Sequence, residues 1–369
     1  MRNLKKIENT LDDNQVLTLN NFKNLSISSS VLENESPFKI LVKNGDHVKI
    51  NQPIMQNTDG QQILASVSGK VQVKLKQEDK NELTYFVDIE NDFKSETLDL
   101  QINIKNKKDL INSVKNYGII NKNFFIYKYL EIVKDTLKIN CFDDVFIYNN
   151  FTLFKCYFKD IKFALKKLKQ ILKFEKVEFY VSKNNLEIVK NLKNQSDKIF
   201  KKRPKQNALD LFDLFKLANL FKGDIFNKEI ISITGKALKE NRVCFVLNGA
   251  KINDIIELQG GFVQDIEEIE NYKYTAMVAF NDELVLKDKI KKCKDLNDKQ
   301  KPIKMLTEKQ EEAKLNLYNK REEYYLKYLN TLSACFISYF KNKVAIKNFE
   351  RNINSTVYGL HFLSKKQFH

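Results

Sequence analysis

The sequence predicts an α+β multidomain chain, with a β module at the front, an α/β domain in the middle, a second small β module and a helical C-terminus. Three observations predict it. Polar–glycine pairs separate short apolar runs near residues 38–73 and again near 228–247, as in strands joined by tight turns. Between those regions, strand-like and helix-like periods alternate with short joints, which implies a parallel sheet with crossover helices. Past residue 290 charged, helix-forming sequence takes over. The expected divisions are an N-terminal arm at 1–30, the front module at 31–99, the α/β domain at 100–227, the second β module at 228–290 and a helical region at 291–369.

The front module is clearest from Phe38 to Val73. Gly45-Asp46 follows Ile40-Leu41-Val42 and precedes Val48 and Ile50. Ser68-Gly69 stands likewise between Ala65-Ser66-Val67 and Lys70-Val71-Gln72-Val73. Glycine at such sites admits a positive φ that a side chain resists. Two hairpin arms joined by a polar loop are expected, similar to barrel-sandwich hybrid domains, the folded ribbon of biotinyl and lipoyl carriers. A carrier needs a lysine at its exposed hairpin. The loop Met55–Ile63 has none, so an assembly role is expected of this module. Leu83–Glu90 alternates like a closing strand and stops at Asn91-Asp92. Residues 1–30 are expected to lie on this module as an arm or strand.

In the middle, Lys107–Asn116 reads as an amphipathic helix with Leu110, Ile111 and Val114 on one face, stopped at Gly118. Asp144–Tyr148 and Val177–Ser182 read as strands. Asp160 is placed to cap a helix with the stripe Ile161, Ala164, Leu165, Leu168, Ile171 and Leu172, and Asn184 to open another through Leu192. Ala208–Lys222 is apolar on most sides, so it is expected between modules, ending at Gly223.

Lys228–Leu238 and Val243–Val246 then read as partner strands, Lys251–Leu258 as a short helix, and Lys273–Leu286 as a further β segment. Thr307, with Gln310 three residues on, matches a capping box for a helix to about Lys327. Leu332, Phe336 and Phe340 continue at helical spacing.

Two of these segments resemble a known family. Lys43-Asn44-Gly45-Asp46-His47-Val48, Asn51-Gln52-Pro53-Ile54 and Leu64–Val71 resemble the amino-terminal module of RnfC. RnfC is a peripheral subunit of the Rnf ion-translocating electron-transport complex. Ile233-Thr234-Gly235-Lys236-Ala237-Leu238, then a strand, then Asn248–Glu257 and Gly260-Gly261-Phe262, resemble its soluble-ligand-binding β-grasp (SLBB) module. The likeness spans about 31–290 and extends to the related NqrA. It implies that the middle domain is a shortened, Rossmann-like relative of a flavin- and NADH-binding domain.

The chain departs from that family where the chemistry would sit. After the helix, the family carries successive glycines and Phe-Pro, which let main-chain N–H groups close on a phosphate or flavin. Here the text is Gly118-Ile119-Ile120-Asn121-Lys122-Asn123-Phe124-Phe125. Gly118, Lys122 and Phe125 are the remaining cofactor-binding candidates, Phe125 standing where the family has its Phe. The family's C-terminus also bears two four-cysteine cluster motifs. Of the five cysteines here, no two form a CxxC, and only Cys293 and Cys335 lie past residue 290, too few for a cubane. Their wide spacing suits reduced, buried thiols. The FMN and 4Fe-4S motifs are therefore absent, and no catalytic or metal-ligating residue is assigned.

The net charge of +16 comes from 63 basic against 47 acidic residues. The basic residues are scattered rather than gathered with aromatics, so no specific nucleic acid is expected as a partner, while a negative membrane face suits them. No apolar run approaches the roughly 20 residues of a membrane span. The expectation is a divergent RnfC-like subunit that serves assembly. It would be cytoplasmic and peripheral at the inner face of the cell membrane, with the other membrane and peripheral subunits of an Rnf-like complex as partners. Two alternatives stand beside it. One is an active NADH-oxidising RnfC- or NqrA-like subunit with an unusual loop at Gly118. The other is a basic RNA- or lipid-binding protein.

Overall fold

A computed structural model describes residues 11–32, 38–79, 82–121, 124–142, 149–181, 198–235, 240–261, 274–279, 336–337 and 359–364. Among them the fold is mixed α/β, with four sheets and five helices.

The chain begins with β1 (Leu11–Leu19) and β2 (Asn24–Ser28). The front module continues through β3 (Lys39–Ile40), β4 (His47–Val48), β5 (Pro53–Gln56), β6 (Gln62–Leu64), β7 (Gly69–Asp79) and β8 (Glu82–Asn91). These strands form two facing sets, β2-β8-β7-β4 and β3-β5-β6. Val48, Ile54, Met55, Val87 and Ile89 are buried between them. The strands flanking each glycine turn do not pair with one another, contrary to the two expected hairpin arms. Around Gly45, β3 pairs with β5 and β4 with β7. Around Gly69, β6 pairs with β5 and β7 with β8 and β4. Each glycine marks a corner where the chain crosses from one sheet to the other. At Gly69 the reason is close approach: a Cβ there would lie 2.0 Å from the Glu90 carbonyl oxygen.

The N-terminal residues divide between modules rather than lying on the front one alone. β2 pairs antiparallel with β8. β1 pairs in parallel with the strand 241–247, far along the chain.

In the middle come α1 (Lys107–Asn116), α2 (Ile126–Ile132), β9 (Thr136–Asn140), α3 (Asn149–Leu172), β10 (Lys176–Tyr180), β11 (Lys198–Phe200), β12 (Leu209–Asp210) and α4 (Leu211–Phe221). The sheet runs β11-β10-β9-β12, and every pairing in it is parallel. α1 has the bounds its periodicity predicts, with Asn106 accepting from the Asp109 N–H as N-cap. β9 was not anticipated; its Leu137 and Ile139 are fully buried between lysine-bearing neighbours. The expected strand at 144–148 and the helix opening at Asn184 lie outside the described residues.

Asp160 does not cap a helix. α3 starts at Asn149 and bends at Tyr157, where φ is −128° and ψ 26°. The carboxylate of Asp160 instead accepts from Lys222 Nζ at 2.5 Å. The predicted apolar stripe is nonetheless the buried one, Ile161, Ala164 and Leu168 being fully covered.

The last sheet is built on β13 (Lys228–Gly235) and β14 (Asn241–Leu247), with α5 (Ile252–Leu258) packed beside them. It also takes β15 (Tyr274–Ala279), β16 (Phe336–Ile337) and β17 (Gly359–Ser364), in the order β1-β14-β13-β17-β15-β16. Of residues 291–369 the structure describes 336–337 and 359–364, and these are strands; Phe336, expected at helical spacing, lies in β16. β13 pairs with β14 on one side, and β17 pairs with Ser232–Gly235 on its other edge. The capping box at Thr307 and the two last cysteines lie outside the described residues.

One continuous core runs through all three regions, from Leu25 and Ile54 through Leu110 and Phe179 to Ile255. A second cluster gathers Val16, Leu153, Phe212, Phe215, Ile230, Val243 and Phe245, so β1, α3, α4 and the β13–β14 pair share it.

Candidate functional site

The polar loop of the front module is a docking element. Gln61 is fully buried and donates from Nε2 to the carbonyls of Val114 and Lys115 at 3.4 and 3.2 Å, closing the end of α1. Asp59 accepts from Tyr127 Oη at 2.6 Å and faces Lys128 at 3.9 Å, both on α2. A hairpin held by two helices cannot swing, which agrees with its lack of a carrier lysine.

The loop after α1 is the position to which the family likeness points. Gly118 has φ +66°, and a Cβ there would lie 3.1 Å from the Gln62 carbonyl oxygen, so glycine is required where α1 meets β6. The main-chain N–H groups of Gly118, Ile119 and Asn121 donate to the carbonyls of Lys115, Val114 and Phe124. Ile119 and Ile120 are buried. Phe125 is fully buried; its ring lies 6.0 Å from Phe38 edge-on and 5.7 Å from Tyr127, stacked.

Beneath this loop lies a buried polar cluster presented by α4. Asp210 and Asp213 form a reciprocal capping box. Asp213 Oδ2 also accepts from Asn121 Nδ2 at 2.5 Å. One turn on, Lys216 donates from Nζ to the Ile120 carbonyl at 2.7 Å and faces Glu229 Oε1 at 3.9 Å. Lys216 is only 5% exposed, so these contacts replace most of its water. Burial, with the Asp210 charge behind it, pushes the Asp213 carboxyl well above its ordinary range, against the pull of Lys216. Burial raises Glu229 too, and Lys216 opposes it.

The space left at this junction is a cavity of about 50 Å³, bordered by Tyr117, Gly118, Ile120, Lys216, Glu229 and Asn248 among others. Cofactor pockets run to roughly 300–1,000 Å³, so the cavity holds a few waters and no flavin. Asn248 Oδ1 is buried without a hydrogen-bond partner among the described residues, which suits an ordered water. Three of the described amides that could receive a phosphate, those of Gly118, Ile119 and Asn121, are engaged within the chain. The nearest buried cation is held by a carbonyl and a carboxylate, with two more carboxylates close by. The residues present do not fit a flavin mononucleotide. Nor does any group of three or more potential metal ligands occur among the described residues.

Of the sequence candidates, Gly118 borders the cavity, Phe125 belongs to the core, and Lys122 lies outside the described residues. Asp213, Lys216, Glu229 and Asn121 were missed. A signal existed: Asp210, Asp213, Lys216 and Asn219 recur every third residue in an otherwise apolar stretch. Charged groups on one face of a buried helix must find partners. Cys141 and Cys244 are buried, and burial pushes the Cys244 thiol up to about 12, so it stays protonated.

No family model and no curated protein matches the sequence. Among solved structures, an NAD+-reducing NiFe hydrogenase is similar in its air-oxidized state, at 9% identity with a TM-score of 0.38, and in its H2-reduced state, at 9% and 0.39. The matched part covers 47% of this chain and only 41% of the hydrogenase chain. A likeness this distant says nothing of chemistry.

Proposed function

We propose that this protein is a divergent RnfC-like subunit of a membrane-associated electron-transport complex, and that it serves as a scaffold in assembling that complex. The observation that carries this reading is the filling of the loop at 118–125. Among its described residues Ile119, Ile120 and Phe125 are core, the N–H groups of Gly118, Ile119 and Asn121 are engaged, and Lys216 faces Glu229 beneath it. The frame that would position a redox group persists while the receiving surface has become packing. The likeness to RnfC in the front and β-grasp segments supports the choice of complex. Partners in this reading are the membrane and peripheral subunits of an Rnf-like set at the cytoplasmic membrane face. No helix among the described residues is long and apolar enough to cross a membrane, and the charge of +16 suits an anionic surface.

The test is to purify the chain without oxygen and record its absorption spectrum with iron analysis. A colourless, iron-free protein that co-purifies with electron-transfer subunits is the expected result. Stoichiometric flavin or iron, or NADH oxidation lost on replacing residues 118–128, would instead establish the active subunit.

A further inference from the structure

The front module carries an open groove of about 590 Å³. It is lined by Ile40, Val73 and Tyr85 over the buried Phe38 and Val42, with Lys39 and Lys43 also bordering it. Its origin lies in the β7–β8 ribbon. On one face Val71, Val73 and Leu75 stand opposite Ile89, Val87 and Tyr85. Burial fades along this stripe: Val71 is 2% exposed, Leu75 49%, and Tyr85 47%. The apolar face of the core thus continues past the core into solvent.

One edge of the ribbon is open as well. Val71 exchanges main-chain hydrogen bonds with Gly45 and Asp46, and the N–H of Val73 is taken by Asn44 Oδ1. The N–H and C=O of Leu75 point the same way by the two-residue repeat of a strand, and have no partner on that side among the described residues. An apolar wall beside an unpaired strand edge is the requirement for adding a strand from another chain. The charge selects which chain. Among the described residues Lys39 and Lys43 have no ion pair and no carboxylate lines the groove.

We infer that this groove receives an extended acidic segment of a partner subunit, laid as a further strand on the open edge of β7. Its alternate apolar side chains would cover Ile40 and Tyr85, and its carboxylates would meet Lys39 and Lys43. The inference rests on the assembly role proposed above and names the surface and kind of partner for it.

The probe is a short labelled peptide alternating valine with glutamate, titrated by fluorescence anisotropy into the full chain, beside a valine–lysine peptide of equal length. The expected result is saturable binding of the acidic peptide alone, weakening with salt. Lys39→Glu with Lys43→Glu should weaken it by about tenfold, and Tyr85→Ser should weaken it whether or not the lysines are reversed. These positions are exposed, and an unchanged far-UV CD spectrum would verify the fold. Equal binding of both peptides, no binding, or no effect of the charge reversal would overturn the inference. So would a concentration-dependent dimer abolished by the same reversal, which would seat a second copy in the groove. Acidic-peptide binding that emerges only after Glu33→Gln with Glu35→Gln would assign the groove to the chain's own preceding residues. If the reversed variant still co-purifies with electron-transfer subunits, the groove fails and the assembly role stands. If the peptide binds a chain that joins no such complex, the assembly role fails and the groove stands.

Discussion

Gly69 and Gly45 occupy two corners of the front module and meet different surroundings. At Gly69 a Cβ would strike the backbone of the neighbouring strand, whereas at Gly45, with φ +90°, nothing lies within 4 Å. Gly69→Ala must part β7 from β8 and is expected to destabilise by about 3 kcal/mol. Gly45→Ala meets only backbone strain, about 1 kcal/mol. Urea unfolding followed by far-UV CD checks the ranking; equal losses would mean that β7 and β8 do not approach as described. Lys216 offers a second residue-scale test. Replacing it with Met leaves the Asp213 and Glu229 carboxyls without their buried counter-charge, a loss of about 3 kcal/mol at neutral pH. The sign with pH follows from linkage. Both carboxyls are already raised in the folded state, and removing Lys216 raises them further. A raised carboxyl adds stability that is complete below its unfolded value, 3.8 for Asp and 4.5 for Glu, and lost as pH climbs through the folded value. The deficit of Lys216→Met should therefore be smallest in acid and widen toward neutrality. A deficit independent of pH would mean that Lys216 acts by packing alone.

At the scale of elements, the helices of the middle domain are joined to the last sheet by an aromatic cluster. The ring of Phe245 on β14 lies 4.7 Å from Phe226, 5.5 Å from Phe215 on α4 and 5.8 Å from Tyr157 at the bend of α3. Val16 of β1 closes the same cluster. Phe245→Ala removes the ring that links these elements. The expected loss is about 4 kcal/mol by chemical denaturation, and the separation of α4 from the sheet should also lower the protection of its amides from exchange. Leu75→Ser, on the exposed end of the β7–β8 ribbon, is the matched control and should change stability by less than about 0.5 kcal/mol. A comparable loss at both sites would show that the ribbon end is covered in the monomer.

For the whole molecule, the continuous core decides how the chain unfolds. The front module is tied to the last sheet by the Ser26 N–H on the Gly249 carbonyl at 2.9 Å and by Ser66 Oγ on the Asn248 carbonyl at 3.1 Å. It is tied to the middle domain through Gln61 and Asp59. Three modules sharing one core should melt together. Far-UV CD and tyrosine fluorescence are expected to give coincident transitions, with calorimetric and van't Hoff enthalpies equal. Separate transitions would show the modules to be independent. A scaffold that works by holding several surfaces at fixed positions needs this coupling; a set of loosely tethered carriers would not.

What the sequence alone determined was local. The bounds of α1, the closing strand β8, the β13–β14 pair and the stripe of α3 follow from periods of 3.6 and 2 read over a few turns. Gly45 and Gly69 were legible as turns, but not as corners between two sheets, because a turn residue does not record which strands pair. Tertiary structure decided the rest. Nothing in residues 11–19 specifies β14 as partner, and nothing in 359–364 specifies β13, because an edge is completed by whichever strand folding brings to it. β9 went unread because its alternation extends over five residues and two apolar side chains, too short to stand out. The charges on α4 were visible, but Asn121, the Ile120 carbonyl and Glu229 come from other parts of the chain. Main-chain and charge partners are chosen by position in space, and side-chain periodicity along one segment carries no record of that choice.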